Sequence, residues 1–385
     1  MIKKVILDKA DRLYHLPFDL EEHFPRQTLQ STARRFPLID LGHFHWPVEK
    51  WPADGPGSSE IAGAKELLKL KEALSSWLQE EYSLRINPRK QIFIGHGIRR
   101  ILLDFSLAFI EYGDLVLCPE PGLPAYRREI ILAGGMPLSY QISEKTNFKP
   151  SLKKFSANVG KSAKVLMLNS PHNPLGAVLD ESDLGELIRY ASRDNILLVN
   201  DAAYCSLAEE KFLPIFSLPG GDRVSLEIFS VPLTFGLPHI PFGFAVGPPE
   251  TIAALESTGR LTGQYVPVGW VRSALKAIEQ YPSPELKNVR KRIEQSRQAA
   301  KQMVENYDWK PLGHDSAPFL WTKIPGRKSS SAFATALLRR RGILTLPGTA
   351  FGDAADGYLR LSLTASAEEY RSAEEQLGQR FLQKE

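Results

Sequence analysis

Cysteine is scarce in this chain of 385 residues: only Cys118 and Cys205 occur, each inside an apolar stretch. Two such residues give neither a disulfide framework nor metal-ligand spacing, so a reducing compartment is the expectation. Long hydrophobic runs are also missing. No stretch of about 18 apolar residues occurs, and none of that length means no membrane-crossing helix. The opening MIKKVILDKADRLYH has no continuous apolar core of the kind a secretory signal needs. Neither sign of charge is in marked excess, because 48 Lys and Arg stand against 44 Asp and Glu for a formal net charge of +4. That balance is too weak and too evenly spread to argue for nucleic acid or a membrane surface. The basic run Arg339-Arg340-Arg341 reads as a solvated helix end. No internal repeat or low-complexity linker is visible. The expectation is a soluble, cytoplasmic protein with neither a nucleic-acid nor a membrane partner.

What is present is ordinary globular composition, 43% hydrophobic and 24% charged. The length allows two or three domains and a large buried core. Short apolar runs at 92–94, 115–118, 164–169, 196–200, 225–230 and 242–246 read as strands. Amphipathic runs at 98–111, 125–133, 181–193 and 249–257 read as helices. Strands alternating with helices imply a mainly parallel sheet covered on both faces, an α/β fold. Such sheets bind ligands beyond the carboxyl ends of their strands. Polar residues fall at those ends: His96, Asn169 with Asn173, Asp201 with Tyr204, and Ser230. Their repeated placement argues for one cleft. Before Glu60 and after about Pro282 the pattern changes to longer helices and isolated strands, which suggests a second domain built from both ends of the chain.

Six segments carry a resemblance. Asn169-Ser-Pro-His-Asn173-Pro-Leu-Gly176 is similar to N-P-x-N-P-T-G, and Asn200-Asp201-Ala-Ala-Tyr204 to D-E-x-Y. Phe229-Ser230-Val-Pro-Leu233-Thr-Phe-Gly-Leu-Pro238, followed by Phe242-Gly-Phe-Ala-Val-Gly247, resembles S-x-S-K-T-F-G-L-P and the glycine-rich strand after it. Pro119-Glu-Pro-Gly-Leu-Pro-Ala-Tyr126 resembles P-x-P-x-Y-P-x-Y. Leu346-Pro-Gly-Thr-Ala-Phe-Gly352 and Tyr358-Leu-Arg-Leu-Ser362 complete the set. In this order and spacing they resemble the class I/II aminotransferases of the fold type I family that depends on pyridoxal phosphate (PLP).

The resemblance implies a large domain with a mainly parallel seven-stranded sheet, residues 51–280. It also implies a small α/β domain made of residues 1–50 and 281–385, and a homodimer. PLP is an electron sink whose binding, orientation and electrostatics come from the protein. By resemblance, Asp201 faces the pyridine nitrogen, while Asn173 and Tyr204 face the ring's phenolic oxygen. The phosphate falls at a helix start formed by Gly97, Ile98 and Arg99, where free N–H groups favour an anion, with Ser230 as a further contact. Arg360 would grip the carboxylate of an amino acid or keto acid, a task suited to a planar guanidinium, and Gly42 offers backbone contact to the same group.

Four positions depart from the family. The Schiff-base lysine maps to Leu233, and no lysine occurs between Lys211 and Lys276. The phosphate-binding arginine maps to Pro241, and the stacking aromatic to Leu123. The partner-subunit tyrosine expected near residues 59–61 is absent. Leucine supplies neither a covalent anchor nor a base, so no catalytic residue is assigned, ordinary transamination is not expected, and any PLP or pyridoxamine phosphate would be held noncovalently. Arg99 either replaces the charge lost at Pro241 or faces solvent. His239 is read as a loop histidine rather than a replacement base. His43 and His45 are two residues apart, which makes no metal site without further ligands, the nearby Asp and Glu residues are not convincingly placed, and no metal is expected. Cys205 is read as packing. Two functions remain open: an aminotransferase-like enzyme, and a noncatalytic dimeric binding or regulatory protein for an amino-acid-like ligand.

Overall fold

The computed structural model describes residues 24, 26–46, 60–151, 162–208, 211–238, 240–326 and 329–378. The opening segment, the start of the expected large domain at 51–59 and His239 lie outside the described residues.

After a helix at Arg26–Ala33, the main elements in chain order are β1 (Ile39–Asp40), α1 (Ala64–Tyr82), β2 (Ile92–Gly95), α2 (Ile98–Phe109), β3 (Leu115–Glu120), α3 (Pro124–Ala133), β4 (Met136–Gln141), β5 (Ala163–Asn169), α4 (Glu181–Asp194) and β6 (Leu197–Asp201). It continues with β7 (Ser225–Ser230), α5 (Val231–Phe235), β8 (Gly243–Val246), α6 (Pro249–Leu261), α7 (Val268–Glu279) and α8 (Pro284–Asn306). The last elements are β9 (Lys310–Leu312), β10 (Phe319–Lys323), α9 (Ser330–Arg341), β11 (Ile343–Leu344), β12 (Leu346–Pro347), β13 (Tyr358–Ser362) and α10 (Ala367–Leu377).

Seven strands form one sheet in the order β2-β8-β7-β6-β5-β3-β4. Only β8 runs antiparallel to its neighbours, pairing with β2 and β7. Successive side chains of a strand point to opposite faces, and β5 shows the result. Val165 and Met167 join the apolar cluster containing Ile101, Phe105 and Ile252. Leu166 and Leu168 join the one containing Leu184, Leu187 and Ile188. Burial on both faces explains why these strands read as unbroken apolar runs. The edge strand β4 differs: Met-Pro-Leu-Ser-Tyr-Gln is mostly exposed or half-buried, and its proline and polar residues carry no strand signal.

Helix starts follow local chemistry. Asp180 caps α4 by accepting from the Asp183 N–H. Gly97, at φ +83°, takes a left-handed conformation to turn the chain from β2 into α2.

A second sheet, β12-β13-β10-β9, is antiparallel throughout. Beside it, β1 pairs in parallel with β11, so a segment from near the beginning of the chain is bound to one near its end. Leu359 and Leu361 of β13 enter a core with Leu41, Phe319, Phe333 and Tyr370. Period two then puts Arg360 on the other face of β13. The basic run Arg339-Arg340-Arg341 ends α9, as read from sequence.

Candidate functional site

All strands of the large sheet except β8 end at one edge, and β8 begins there, since Gly243 pairs with both Gly95 and Ser230. Beyond that edge lies a cleft of about 740 Å³. Its wall includes His96, Gly97, Ile98 and Arg99 after β2, Leu123 to Tyr126 after β3, Asn173 after β5, and Asp201 and Tyr204 after β6. Ser230, Pro232, Leu233, Pro241 and Phe242 close the side nearest β7 and β8, and Phe319 and Arg360 come from the second sheet. His43, Phe44 and His45 stand there as well. The strand-end residues expected to share a cleft do so, except Asn169. Its amide instead donates to the carbonyls of Pro171 and Asp201, and its Oδ1 accepts from the Asn173 N–H at 2.7 Å. Asn169 thus shapes the loop that presents Asn173.

The cleft floor is a chain of buried hydrogen bonds. Tyr126 donates its hydroxyl to Asp201 Oδ2 at 2.9 Å, and the Ala203 N–H donates to Oδ1 at 3.0 Å. Asn173 Nδ2 donates to the Tyr204 hydroxyl at 3.1 Å. Arg360 Nη1 donates to Asn173 Oδ1 at 3.1 Å and Nη2 to the Gly42 carbonyl at 2.8 Å. The Gly42 N–H donates to Asp40 Oδ1. The Arg360 guanidinium lies over the ring of Phe319 at 4.1 Å and over that of Phe351 at 5.2 Å.

Two opposite charges sit here without ion-pair partners among the described residues. Burial pushes Asp201 up to about 6, against hydrogen bonds from Tyr126 and Ala203 that lower it. Burial also lowers Arg360 to about 10, and its Nε has no hydrogen-bond partner among the described residues. A buried guanidinium in that condition calls for an anion, because an uncompensated buried charge is costly. Burial pushes Tyr204 up to about 12, so its hydroxyl remains a protonated donor at neutral pH.

At the other end, the first N–H groups of α2 have no intrahelical acceptor, and Ile98 and Arg99 stand in the cleft wall. Ser230 caps α5 by accepting from the Leu233 N–H at 3.4 Å. The Leu233 side chain is half-buried and packs against the core of the second sheet. Among the described residues that line the cleft there is no lysine. Cys205 is buried, with its thiol near the Thr234 and Ser206 hydroxyls.

Sequence reading did not assign roles to Tyr126, Arg128, Phe44 or Phe319, all of which reach the cleft. It also found no convincingly placed acid beside His43 and His45, whereas Asp40 Oδ2 lies 2.9 Å from His43 Nδ1 and 3.0 Å from His45 Nε2. A signal existed for Tyr126, which ends a quoted motif. Phe319 and Arg128 had none.

The mostly parallel sheet, its strand-end cleft and the residues gathered there define an α/β protein of the PLP-transferase fold. The chain belongs to the aminotransferase class I and II family, whose family model matches residues 52–377. Family membership implies PLP as cofactor and amino acids and keto acids as substrates. Among curated relatives, the LL-diaminopimelate aminotransferase of Aquifex aeolicus (strain VF5) is 28% identical over 381 residues, covering 96% of this chain and 98% of that protein. The enzyme of the same name from Halothermothrix orenii is 27% identical over 386 residues, with the same coverage. Among solved structures, substrate-bound BacF from Bacillus subtilis superposes with a TM-score of 0.86 at 22% identity, covering 97% of this chain and 98% of that one. At that identity the likeness shows the fold. No helix among the described residues is long and apolar enough to cross a membrane.

Proposed function

We propose that this protein takes an amino acid or 2-oxo acid into an aminotransferase cleft and holds PLP or pyridoxamine phosphate there without a covalent bond. One observation carries the reading: the cleft buries Asp201 and Arg360, opposite charges without ion-pair partners, and has no lysine in its described wall. The residues fit a noncovalently held cofactor. A buried carboxyl suits a protonated pyridine nitrogen, and the Tyr204 hydroxyl and Asn173 suit the ring's phenolic oxygen. The start of α2 with Arg99, together with Ser230, suits the phosphate. Arg360 suits the ligand carboxylate; Gly42, expected to touch that carboxylate, instead donates its N–H to Asp40 and holds the guanidinium through its carbonyl.

The bound cofactor would supply an electron sink for charge developing on the ligand's α-carbon. The chain's own residues bind and orient. Leu233 takes the place of the family's lysine in its motif, so no amine on that arm attaches the cofactor or moves a proton. General acid–base assistance is typically worth about 10²–10⁴-fold, and its loss argues against ordinary transamination. The same reading makes the protein a homodimer with a large domain at 51–280 and a small domain at 1–50 and 281–385.

The test is titration of the full chain with PLP, followed by calorimetry, borohydride reduction and intact-mass measurement. Saturable binding with no mass increment is expected. A reduced adduct on a lysine in the cleft, located by peptide mapping, would overturn the noncovalent reading. Absence of binding together with stabilisation by 2-oxo acids alone would leave a ligand-binding protein without cofactor.

A further inference from the structure

A short loop at the mouth of the cleft carries three metal-ligating side chains that the proposed function does not use. Asp40 ends β1 and is fixed there by pairing with β11. Its Oδ1 accepts from the N–H groups of Gly42 and His43, each at 3.0 Å. That leaves Oδ2 for the two imidazoles, 2.9 Å from His43 Nδ1 and 3.0 Å from His45 Nε2. The three donor atoms all lie within 4.8 Å of one another. The expectation of no metal rested on two histidines without a third ligand, and the turn from β1 supplies one.

The loop is also anchored from outside. The Leu41 N–H donates to the Leu344 carbonyl at 2.9 Å, and the Leu41 carbonyl accepts from the Ser362 N–H at 2.7 Å. The His45 N–H donates to Thr364 Oγ1 at 3.0 Å, and the Gly42 carbonyl accepts from Arg360. These bonds hold the loop's backbone in place whether or not an ion is bound. Preorganisation of this kind cuts the entropy of assembling a ligand set.

We propose that Asp40, His43 and His45 form a three-ligand site for a first-row transition ion of the zinc type. Two imidazoles and a carboxylate suit zinc and its neighbours rather than calcium or magnesium, which prefer all-oxygen shells. Three protein donors leave a fourth position of a tetrahedral ion for water or a ligand oxygen. Zinc–nitrogen and zinc–oxygen bonds of about 2.0–2.2 Å put neighbouring donors roughly 3.3 Å apart. The contacts in this loop are a few tenths of an ångström shorter, so only a small opening is needed. The same atoms otherwise form a histidine–aspartate–histidine hydrogen-bonded group. On binding, each imidazole keeps one proton on the ring nitrogen that faces away from the ion, so a neutral histidine only shifts tautomer and a protonated one gives up a single proton to solvent. Among the described residues this is the one group of three or more His, Cys, Asp or Glu side chains so placed.

The test uses the untagged full chain, stripped with chelator and free of PLP, so its result is independent of cofactor binding. Calorimetric titration with Zn²⁺ alone should give saturable uptake of one ion per chain. Titration with Co²⁺ should give visible bands of a low-coordinate ion. His45→Ala, at a mostly exposed side chain, should weaken Zn²⁺ by at least about tenfold while the metal-free melting temperature stays unchanged. His43→Ala should weaken it by a similar factor or more. No saturable Zn²⁺ uptake, or uptake that is equal in the wild type and both variants, would overturn the proposal.

Discussion

Tyr126 and Asp201 are 75 positions apart in the chain and joined by a buried hydrogen bond, phenol to Oδ2, of 2.9 Å. Burial raises the Asp201 carboxyl to about 6, and this bond, with one from the Ala203 N–H, lowers it. Tyr126→Phe removes the larger of the two opposing contributions and leaves the burial. A hydrogen bond to a charged group contributes about 1.5–3 kcal/mol, which corresponds to roughly one to two pH units. Asp201 must be ionised to hold a protonated pyridine ring, so PLP affinity should rise with pH as the carboxyl loses its proton near 6. In Tyr126→Phe the midpoint of that rise should move upward by about one unit or more. Calorimetric PLP titrations from about pH 5 to about pH 9 read it directly. An unmoved midpoint would separate Asp201 from the cofactor ring.

In the proposed function, Arg360 is the residue that receives the ligand's carboxylate. Its guanidinium is stacked on Phe319, bonded to Asn173 and Gly42, and has Nε left over. Lysine has no planar fork and no equivalent stacking surface. Arg360→Lys should therefore weaken a 2-oxo acid by about 10- to 100-fold, the equivalent of one charge-assisted hydrogen bond. Titration with 2-oxoglutarate and with its α-amino counterpart checks this, and a melting curve shows whether the variant still folds. Affinity retained within twofold would move the carboxylate site elsewhere.

Legibility followed burial. Strands β2, β3, β5, β6, β7 and β8 were readable because both of their faces are covered, which leaves continuous apolar runs. The edge strand β4 was not, because a half-exposed strand with Pro137 carries no such run. Asp201, Asn173, Tyr204 and Ser230 were readable as polar residues at strand ends, and they do share the cleft. Arg360 was assigned through the resemblance carried by Tyr358-Leu-Arg-Leu-Ser362, and it does line the cleft. The Asp40–His43–His45 group was not readable, since the turn after β1 that gathers it follows no periodic pattern, and neither was Phe319, since it depends on how the second sheet meets the large one. Local periodicity holds no record of that approach. The short pairing of Ile39 and Asp40 with Ile343 and Leu344 is a contact across most of the chain, and no spacing rule reports it.

The His172 side chain should govern part of the acid limb of stability. It is fully buried, burial lowers it to about 3, and neither ring nitrogen has a hydrogen-bond partner among the described residues. In the unfolded chain a histidine titrates near 6.5. Between those values the unfolded state binds more protons, so stability falls as pH drops from about 6.5 towards 3, by at most about 1.4 kcal/mol per unit. Asp201 and Glu227 act oppositely. Burial raises them to about 6 and about 7, so their contribution is greatest in acid and is lost as pH rises through those values. The whole-protein curve mixes both signs, and a difference between variants separates them. His172→Leu should gain stability relative to the wild type as pH falls from about 6.5 to about 4.5, measured by urea unfolding. A difference independent of pH would mean that His172 does not stay neutral in the folded chain.

Leu233→Lys tests the assignment on which the noncovalent reading rests. The side chain at this position lines the cleft, is half-buried, and begins on the helix capped by Ser230. A lysine ammonium placed against the apolar residues of this wall is partly desolvated, which lowers its pKa and raises the share of free amine. With PLP present, the variant should therefore bond covalently to the cofactor aldehyde. Borohydride reduction should then leave a mass increment on the variant and none on the wild type. Peptide mapping should locate the increment at position 233. The experiment also probes the rest of the pocket, because attachment needs the phosphate and ring held in register with the new amine. If the wild type binds PLP reversibly and Leu233→Lys gains no adduct, position 233 does not face the aldehyde, and the motif alignment that makes Leu233 the lysine's counterpart fails. If the adduct forms and an amino acid then discharges it, a single substitution has restored the covalent anchor to a pocket that already holds the cofactor and the ligand carboxylate.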